Sequence, residues 1–272
     1  EIMPSLVGSE MCIRDSFEAH HQLAAEAAAE SMVLLKNEEN ILPLDSKKIK
    51  SAAIIGRQAK NPLYQGTGCA IVHAQRVDNP YECMEKAFGD AIKLSYADGY
   101  NLDGTTTEAL LCEAEATAQT ADVVVVMAGT FLPGEDDDYN RKDMSLPQGH
   151  RACIEKMASL GKKVVVILAN GDVCDMDWTD SVQAVLDIWY SGEGMGQALA
   201  DILSGKENPS GKLSATIPVK LSDTPAYLGF DGNIYEIPYN EDIYVGYRYY
   251  DKKEMKPVSY THLRAHETRH DL

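Results

Sequence analysis

Five short runs along the chain, Ser51 to Gly56, Ile92 to Gly99, Asp122 to Gly129, Lys163 to Gly171 and Ala184 to Gly192, are mostly apolar without interruption instead of alternating with polar residues. A strand reads this way when both of its faces are buried, as in a parallel sheet covered on either side. Between the runs lie stretches with helical period, at about Pro80 to Phe88, Thr106 to Thr120, Pro147 to Leu160 and Gly194 to Ser204. Strands alternating with helices imply crossover connections, so the chain is read as α/β, with a mainly parallel open sheet sandwiched by helices. A leading stretch rich in Ala, Leu and Glu, His20 to Asn37, predicts one continuous helix. Beyond Pro218 the periodicity gives way to turns and tyrosines, which predicts an irregular, extended arm that packs on something, because so many aromatic rings are a large apolar load for a solvated tail.

Both ends break with this pattern. Pro4 to Ser16, "PSLVGSEMCIRDS", and Val258 to Leu272, "VSYTHLRAHETRHDL", resemble translated sequencing-adapter read-through. The expected organisation is therefore an adapter-like segment over 1–16, an α/β domain over 17–218, the arm over 219–257 and a second adapter-like segment over 258–272. His262, His266 and His270 stand on one face if the tail is helical, but nothing nearby supplies the outer-shell partners that metal-binding histidines need, and no metal is assigned.

Hydrophobic residues make up 44% of the 272 residues, enough for a substantial core. The formal net charge of -17 repels nucleic acid and anionic membrane surfaces, so neither is expected as a partner and a neutral or polar substrate fits better. The six cysteines stand far apart without CxxC pairs, which argues against a zinc site or a disulfide framework. Read as reduced thiols, they favour a cytoplasmic home, with a secreted or periplasmic one open if the true N-terminus lies upstream.

Candidate chemistry concentrates where strands end, because ligands of such sheets bind beyond the carboxyl ends of the strands. The third run leads straight into "GTFLPGEDDDYNRKDMSLPQGH", with four consecutive acids, Glu135 to Asp138. Crowding by like charges, or cover by a substrate, raises a carboxyl pKa and keeps it protonated, which a general acid requires. A solvated acidic turn is the competing interpretation. Arg141 could hold one carboxylate ionised while a neighbour stays protonated. Gly192, Gly194 and Gly196 form GxGxG and not GxGxxG, and they follow the fifth run instead of the first, so close backbone packing at a helix start is preferred to nucleotide binding. "YQGTGCA", Tyr64 to Ala70, reads as a loop on the functional rim. "DMDWTD", Asp175 to Asp180, could form a sugar platform around Trp178, although a tryptophan in such a setting more often packs in the core.

Five separated segments, "AAAESMVLLKNEENILPL", "VVVVMAGTFLPGEDDDYNRKDMSLPQGH", "KVVVILANGDVCDMDW", "AVLDIWYSGEGMGQALADILSGKENPSGKLSATIP" and "NEDIYVGYRYYD", resemble in order and spacing the second domain of glycoside hydrolase family 3, the β-glucosidases and their relatives. The resemblance covers nearly all of Phe17 to Pro257. It implies a six-stranded α/β sandwich that partners a TIM barrel of the same parent chain, often with a fibronectin-III-like domain after it. It also implies a retaining mechanism on a β-linked glucoside or related oligosaccharide, without a cofactor, with the nucleophilic Asp on the barrel and the acid/base on a loop of the sandwich. In many members that acid/base is a Glu in a pattern like E-G-x-D-R ahead of an "LP" helix start. Arg141 and Leu146-Pro147 match those anchors and give Arg141 a place among the substrate-binding residues. Counting back from Arg141 puts the Glu position on Asp137, while Glu135 matches if the loop is two residues longer. Glu135 is favoured for the reach of its extra methylene, with Asp137 and Asp136 as alternatives. The Tyr64 to Pro80 segment resembles the family's glycine-rich loop at the sugar site, which brings in Gln65 and Gly66 as substrate-binding candidates. A fragment of this kind, without its barrel, is expected to be inactive alone. The reading of a different class is a non-catalytic α/β carbohydrate-binding or regulatory module, in which the acids accept hydrogen bonds from sugar hydroxyls.

Overall fold

The computed structural model describes residues 16–130, 143–230 and 241–258. Six strands form one sheet: β1 (Val33–Asn37), β2 (Ser51–Ile55), β3 (Lys93–Ala97), β4 (Val123–Gly129), β5 (Lys163–Ala169) and β6 (Ala184–Asp187), in the spatial order β1-β6-β5-β4-β2-β3. All neighbours run parallel except β1, which is antiparallel to β6. The helices are α1 (Phe17–Ser31), α2 (Pro80–Phe88), α3 (Glu108–Gln119), α4 (Gln148–Ala158) and α5 (Met195–Ser204), followed by two short ones, α6 (Tyr227–Phe230) and α7 (Tyr247–Lys253).

The uninterrupted apolar runs are buried on both faces, as the pattern predicts. In β4, Val123, Val125 and Met127 join a core shared with α1, α2 and α5, while Val124, Val126 and Ala128 join a core shared with α3 and α4. The same alternation divides β5 into Val165, Ile167 and Ala169 on one face and Val164, Val166 and Leu168 on the other. Local signals fix the helix ends. The Asn79 side chain accepts hydrogen bonds from the Tyr81 and Glu82 amides at the start of α2, where Pro80 has no amide hydrogen to lose. Thr107 caps α3 through the Leu110 amide.

The predicted single helix over His20 to Asn37 is corrected. It stops at Ser31, Met32 is extended, and Val33 to Asn37 become the edge strand β1. The physical reason is a change of period. Met32 and Leu34 pack on the α1 face, and Val33 and Leu35 on the opposite face, an alternation that a helix cannot make. The arm beyond Pro218 is irregular, as expected, but it coils into α6 and α7 instead of running extended. Only Tyr250 among its described tyrosines is buried, while Leu228, Ile243 and Val245 are exposed. Among the described residues no helix is long and apolar enough to cross a membrane.

Gly194 and Gly196 serve close packing at the start of α5, the reading preferred from their spacing, whereas Gly192 has open space around it and instead takes a left-handed φ of 74°. A Cβ on Gly194 would lie 2.6 Å from the Ala25 nitrogen of α1, and one on Gly196 would lie 2.8 Å from the Asp78 carbonyl oxygen. The last residue of β6, Asp187, is almost fully buried. Burial pushes its carboxyl up to about 7, against hydrogen bonds from the Trp189 amide and the Asn170 side chain that favour the ionised form.

Two outcomes follow from these packings. Gly194→Ala must displace the backbone of α1 and should destabilise the domain by about 1–3 kcal/mol, the cost of overpacking; a melting temperature unchanged from wild type would contradict the tight α1–α5 contact. Because the folded Asp187 keeps its proton where the unfolded chain has released it, its contribution is present below the usual aspartate range and is lost as pH rises towards 7. Asp187→Asn should therefore raise the melting temperature more at pH 8 than at pH 5, and an equal change at both pH values would show that the carboxyl is not perturbed.

Candidate active site

The order of the strands places a crevice at one end of the sheet. The chain leaves β2 for the edge strand β3 through α2 on one face, then returns past β2 to β4 through α3 on the other face. The carboxyl ends of β2 and β4 are therefore neighbours whose connections diverge, which is the position where open α/β sheets bind ligands. Thr130, which follows β4 there, is the last described residue before the stretch that carries the four acids. Glu135, Asp136, Asp137 and Arg141 lie outside the described residues, and so do the other residues from 131 to 142.

The structure describes how both sides of that segment are anchored. Gly129, the last residue of β4, lies so close to β5 that a Cβ would fall 1.8 Å from the Ala169 carbonyl oxygen. His150, in the first turn of α4, sits beneath it with its Nδ1 2.9 Å from the Gly129 carbonyl oxygen and 3.2 Å from the Gly129 nitrogen. One ring nitrogen cannot donate and accept at once, and the shorter contact makes Nδ1–H the donor to the carbonyl. Burial depresses the His150 pKa to about 4, so the ring is neutral at ordinary pH. Its face packs on Tyr100, with ring centroids 3.8 Å apart, and the Tyr100 hydroxyl donates to the Met127 carbonyl of the same strand at 2.7 Å.

Thr130 is held from the other side. Its Oγ1 lies 3.0 Å from the Tyr190 hydroxyl, which also donates to the Thr130 carbonyl oxygen at 3.3 Å. The returning leg is fixed at Asp175. The Asp175 amide donates to the Met144 carbonyl at 2.8 Å, and the Leu146 amide donates to Asp175 Oδ1 at 3.2 Å.

The acids around Trp178 prove structural. Asp175 and Asp177 both pair with Arg151, at 2.9 and 2.6 Å, and the Trp178 ring is buried in the core with its Nε1–H donated to the Asp175 carbonyl. The core-packing interpretation of Trp178 holds, and its neighbouring acids brace α4.

Gln65 and Gly66 lie on a loop that joins the same rim. The Gln65 side chain closes on its own loop: its Oε1 accepts from the Val72 amide at 2.9 Å, and its Nε2 donates to the Val72 carbonyl and the Tyr64 hydroxyl. The Gly192 amide donates to the Tyr64 carbonyl at 2.9 Å, tying this loop to the segment that carries Tyr190. A second tie is the buried His21 of α1, whose Nε2 meets Asp78 at 2.9 Å and whose Nδ1 meets Glu193 at 3.0 Å. The exit of β4, the segment after β6 and the Gln65 loop thus form one connected rim. On the β2 side, Arg57 pairs with Asp98 at 2.6 Å, and Lys60 lies over the rings of Tyr81 and Tyr96. Among the described residues no group of His, Cys, Asp and Glu could hold a metal ion.

His150 and Tyr190 did not stand out in the sequence. His150 closes the acidic stretch as "LPQGH" but reads there as one more helix residue, and Tyr190 reads as the end of a strand. The signal that could have found Tyr190 is the aromatic pair Trp189-Tyr190 before a glycine at a strand end, where a turn must aim one ring back over the sheet.

Comparison with known proteins agrees with this geometry. Residues 32–247 match the family model described as the glycosyl hydrolase family 3 C-terminal domain. The chain is 46% identical over 242 residues to thermostable beta-glucosidase B of Acetivibrio thermocellus, an alignment covering 89% of this chain and 32% of that protein. It is 34% identical over 247 residues to an exo-alpha-(1->6)-L-arabinopyranosidase of Bifidobacterium longum, covering 88% of this chain and 32% of that one. Among solved structures, the GH3 beta-glucosidase of Bifidobacterium adolescentis superposes with a TM-score of 0.82 at 34% identity, over 89% of this chain and 35% of that chain. The chain spans about a third of the length of these relatives. By the family match over most of its length and by the sheet that it shares with a solved member, the chain belongs to glycosyl hydrolase family 3, whose C-terminal domain it carries.

Proposed function

We propose that this domain supplies the general acid/base loop and part of the sugar subsite of a retaining, β-glucosidase-like hydrolase, with the nucleophilic aspartate on a TIM barrel of the same parent chain. The observation that supports the proposal is the anchoring of Gly129 and Thr130, the last described residues before the acidic run, at the strand end beside the switch point of a family 3 domain. The substrate is a β-linked glucoside or a related oligosaccharide. Because relatives are named for glucosidase and for arabinopyranosidase activity, the choice of sugar falls in this reading to the barrel and the rim loops.

In this reading Glu135 protonates the glycosidic oxygen as the barrel aspartate attacks the anomeric carbon. As the carboxylate it then takes a proton from the water that releases the covalent intermediate. Retention requires the two carboxyl groups about 5–5.5 Å apart, so a loop reaching across a domain boundary favours the longer Glu135 over its alternatives, Asp137 and Asp136. The neighbouring acids keep Glu135 protonated until transfer, and Arg141 binds a carboxylate or a sugar hydroxyl. Gln65 contributes by bracing its loop, since both ends of its amide are engaged with Val72 and Tyr64, and Gly66 lets the backbone come close to the sugar.

The isolated chain should hydrolyse aryl β-glucosides negligibly because it lacks the nucleophile, and appreciable turnover by purified, barrel-free protein would overturn the proposal. Calorimetric titration with glucose or cellobiose adds a second check: tight binding without the barrel would favour a carbohydrate-binding module. In the domain joined to its barrel, Glu135→Ala should lower kcat/KM for cellobiose by about 10²–10⁴-fold, the usual contribution of general acid–base catalysis, with partial rescue by azide on activated aryl glucosides. A silent Glu135→Ala beside a disabling Asp137→Ala would move the role to Asp137.

A further inference from the structure

We propose that Tyr190 is a positioning residue for the acid/base loop, its hydroxyl locking Thr130, the residue from which the loop leaves the sheet, in a reciprocal pair of hydrogen bonds. The inference rests on the functional reading above.

The pair is closed. The Tyr190 hydroxyl donates to the Thr130 carbonyl oxygen at 3.3 Å, which leaves its own oxygen to accept the Thr130 hydroxyl proton at 3.0 Å. Thr130 is buried, so neither of its oxygens can turn to bulk water if the tyrosine hydroxyl is removed.

Three features aim the ring. Trp189 adopts a left-handed φ of 52°, a conformation uncommon for a bulky residue and one that turns the chain sharply after β6. Oδ1 of Asp187 accepts the Trp189 amide at 3.1 Å and fixes that turn. Gly171 then clears the way, since a Cβ there would lie 2.5 Å from the Tyr190 ring. Strain at Trp189, a buried acid and an obligatory glycine on β5's exit converge on one contact with Thr130. Backbone strain of this kind persists where the surroundings determine it and is often found at functional sites. Because the Tyr190 hydroxyl is spent on Thr130, it acts through the loop and not on the sugar. His150 holds Gly129 independently, so the two side chains anchor successive residues. His150 fixes the end of the strand, and Tyr190 fixes the first residue beyond it.

The test uses the domain joined to its barrel, with cellobiose, whose departing sugar needs protonation, and a dinitrophenyl β-glucoside, whose leaving group does not. Tyr190→Phe should lower kcat/KM for cellobiose by about ten- to a hundredfold, the scale of a misplacement near 1 Å, and for the dinitrophenyl substrate by less than about threefold. Thr130→Val, which keeps the carbonyl contact and loses the hydroxyl, should fall between Tyr190→Phe and wild type, and it carries the test if the phenylalanine variant does not fold. A merely structural role would lower the melting temperature with equal losses on both substrates, and that result, or no loss on either, would overturn the inference. The acid/base reading fails separately: if none of Glu135→Ala, Asp136→Ala and Asp137→Ala changes the ratio between the two substrates, the loop is not the proton donor. If one of them does and Tyr190→Phe does not, only the positioning role is lost.

Discussion

Burial on both faces of β4 and β5 governs everything else in this domain. Every residue of β4 is closed off from water, and β5 is closed off from Val164 onwards, so a charged or hydrogen-bonding side chain has no place along their length. Polar chemistry is confined to the points where strands stop. The order of the strands then selects one of those points, because the crossovers diverge between β2 and β4. Thr130, the last described residue before the acidic run, stands at that point.

The rim is built by groups that are spent on each other. His150 is engaged by Gly129, Tyr190 by Thr130, Gln65 by Val72, and Arg151 by Asp175 and Asp177. Together these contacts fix the strand ends and loops around the exit of β4. A rigid, internally satisfied frame holds the strand ends in one geometry before any ligand arrives.

Much of the fold was legible in the sequence because the central strands announce themselves locally. Runs such as "DVVVVMAG" and "KVVVILANG" need no tertiary information to be read as strands buried on both sides, and the helices between them carry their own caps at Asn79 and Thr107. β1 was not legible, because "MVLLKN" follows an alanine-rich helix without a breaker, and its extended form is decided by β6, far away in the chain. The site divides in the same way. The acidic run and its position after a strand could be seen directly. The clamps on the last two described residues before it could not, since a histidine inside a helix and a tyrosine after a strand acquire their contacts only when the sheet brings Gly129 and Thr130 to them. The reading of Trp178 as a core residue succeeded for the opposite reason, as burial is the ordinary fate of a large ring.

The pairing of β1 with β6 has a consequence for how the domain assembles. Val33 finds its partner at Asp187, and α1 packs on α5, so the first elements of the sandwich are completed by the last. During synthesis the opening helix and strand must wait, with their apolar surface uncovered, until nearly the whole sheet has emerged. Closing so long a loop is entropically unfavourable and makes the final step slow relative to the local βαβ units. Until that step, β6 is an open sheet edge. The N-terminal segment thus acts as the domain's own closing strap, and a chain interrupted before β6 would leave it without a place to bind.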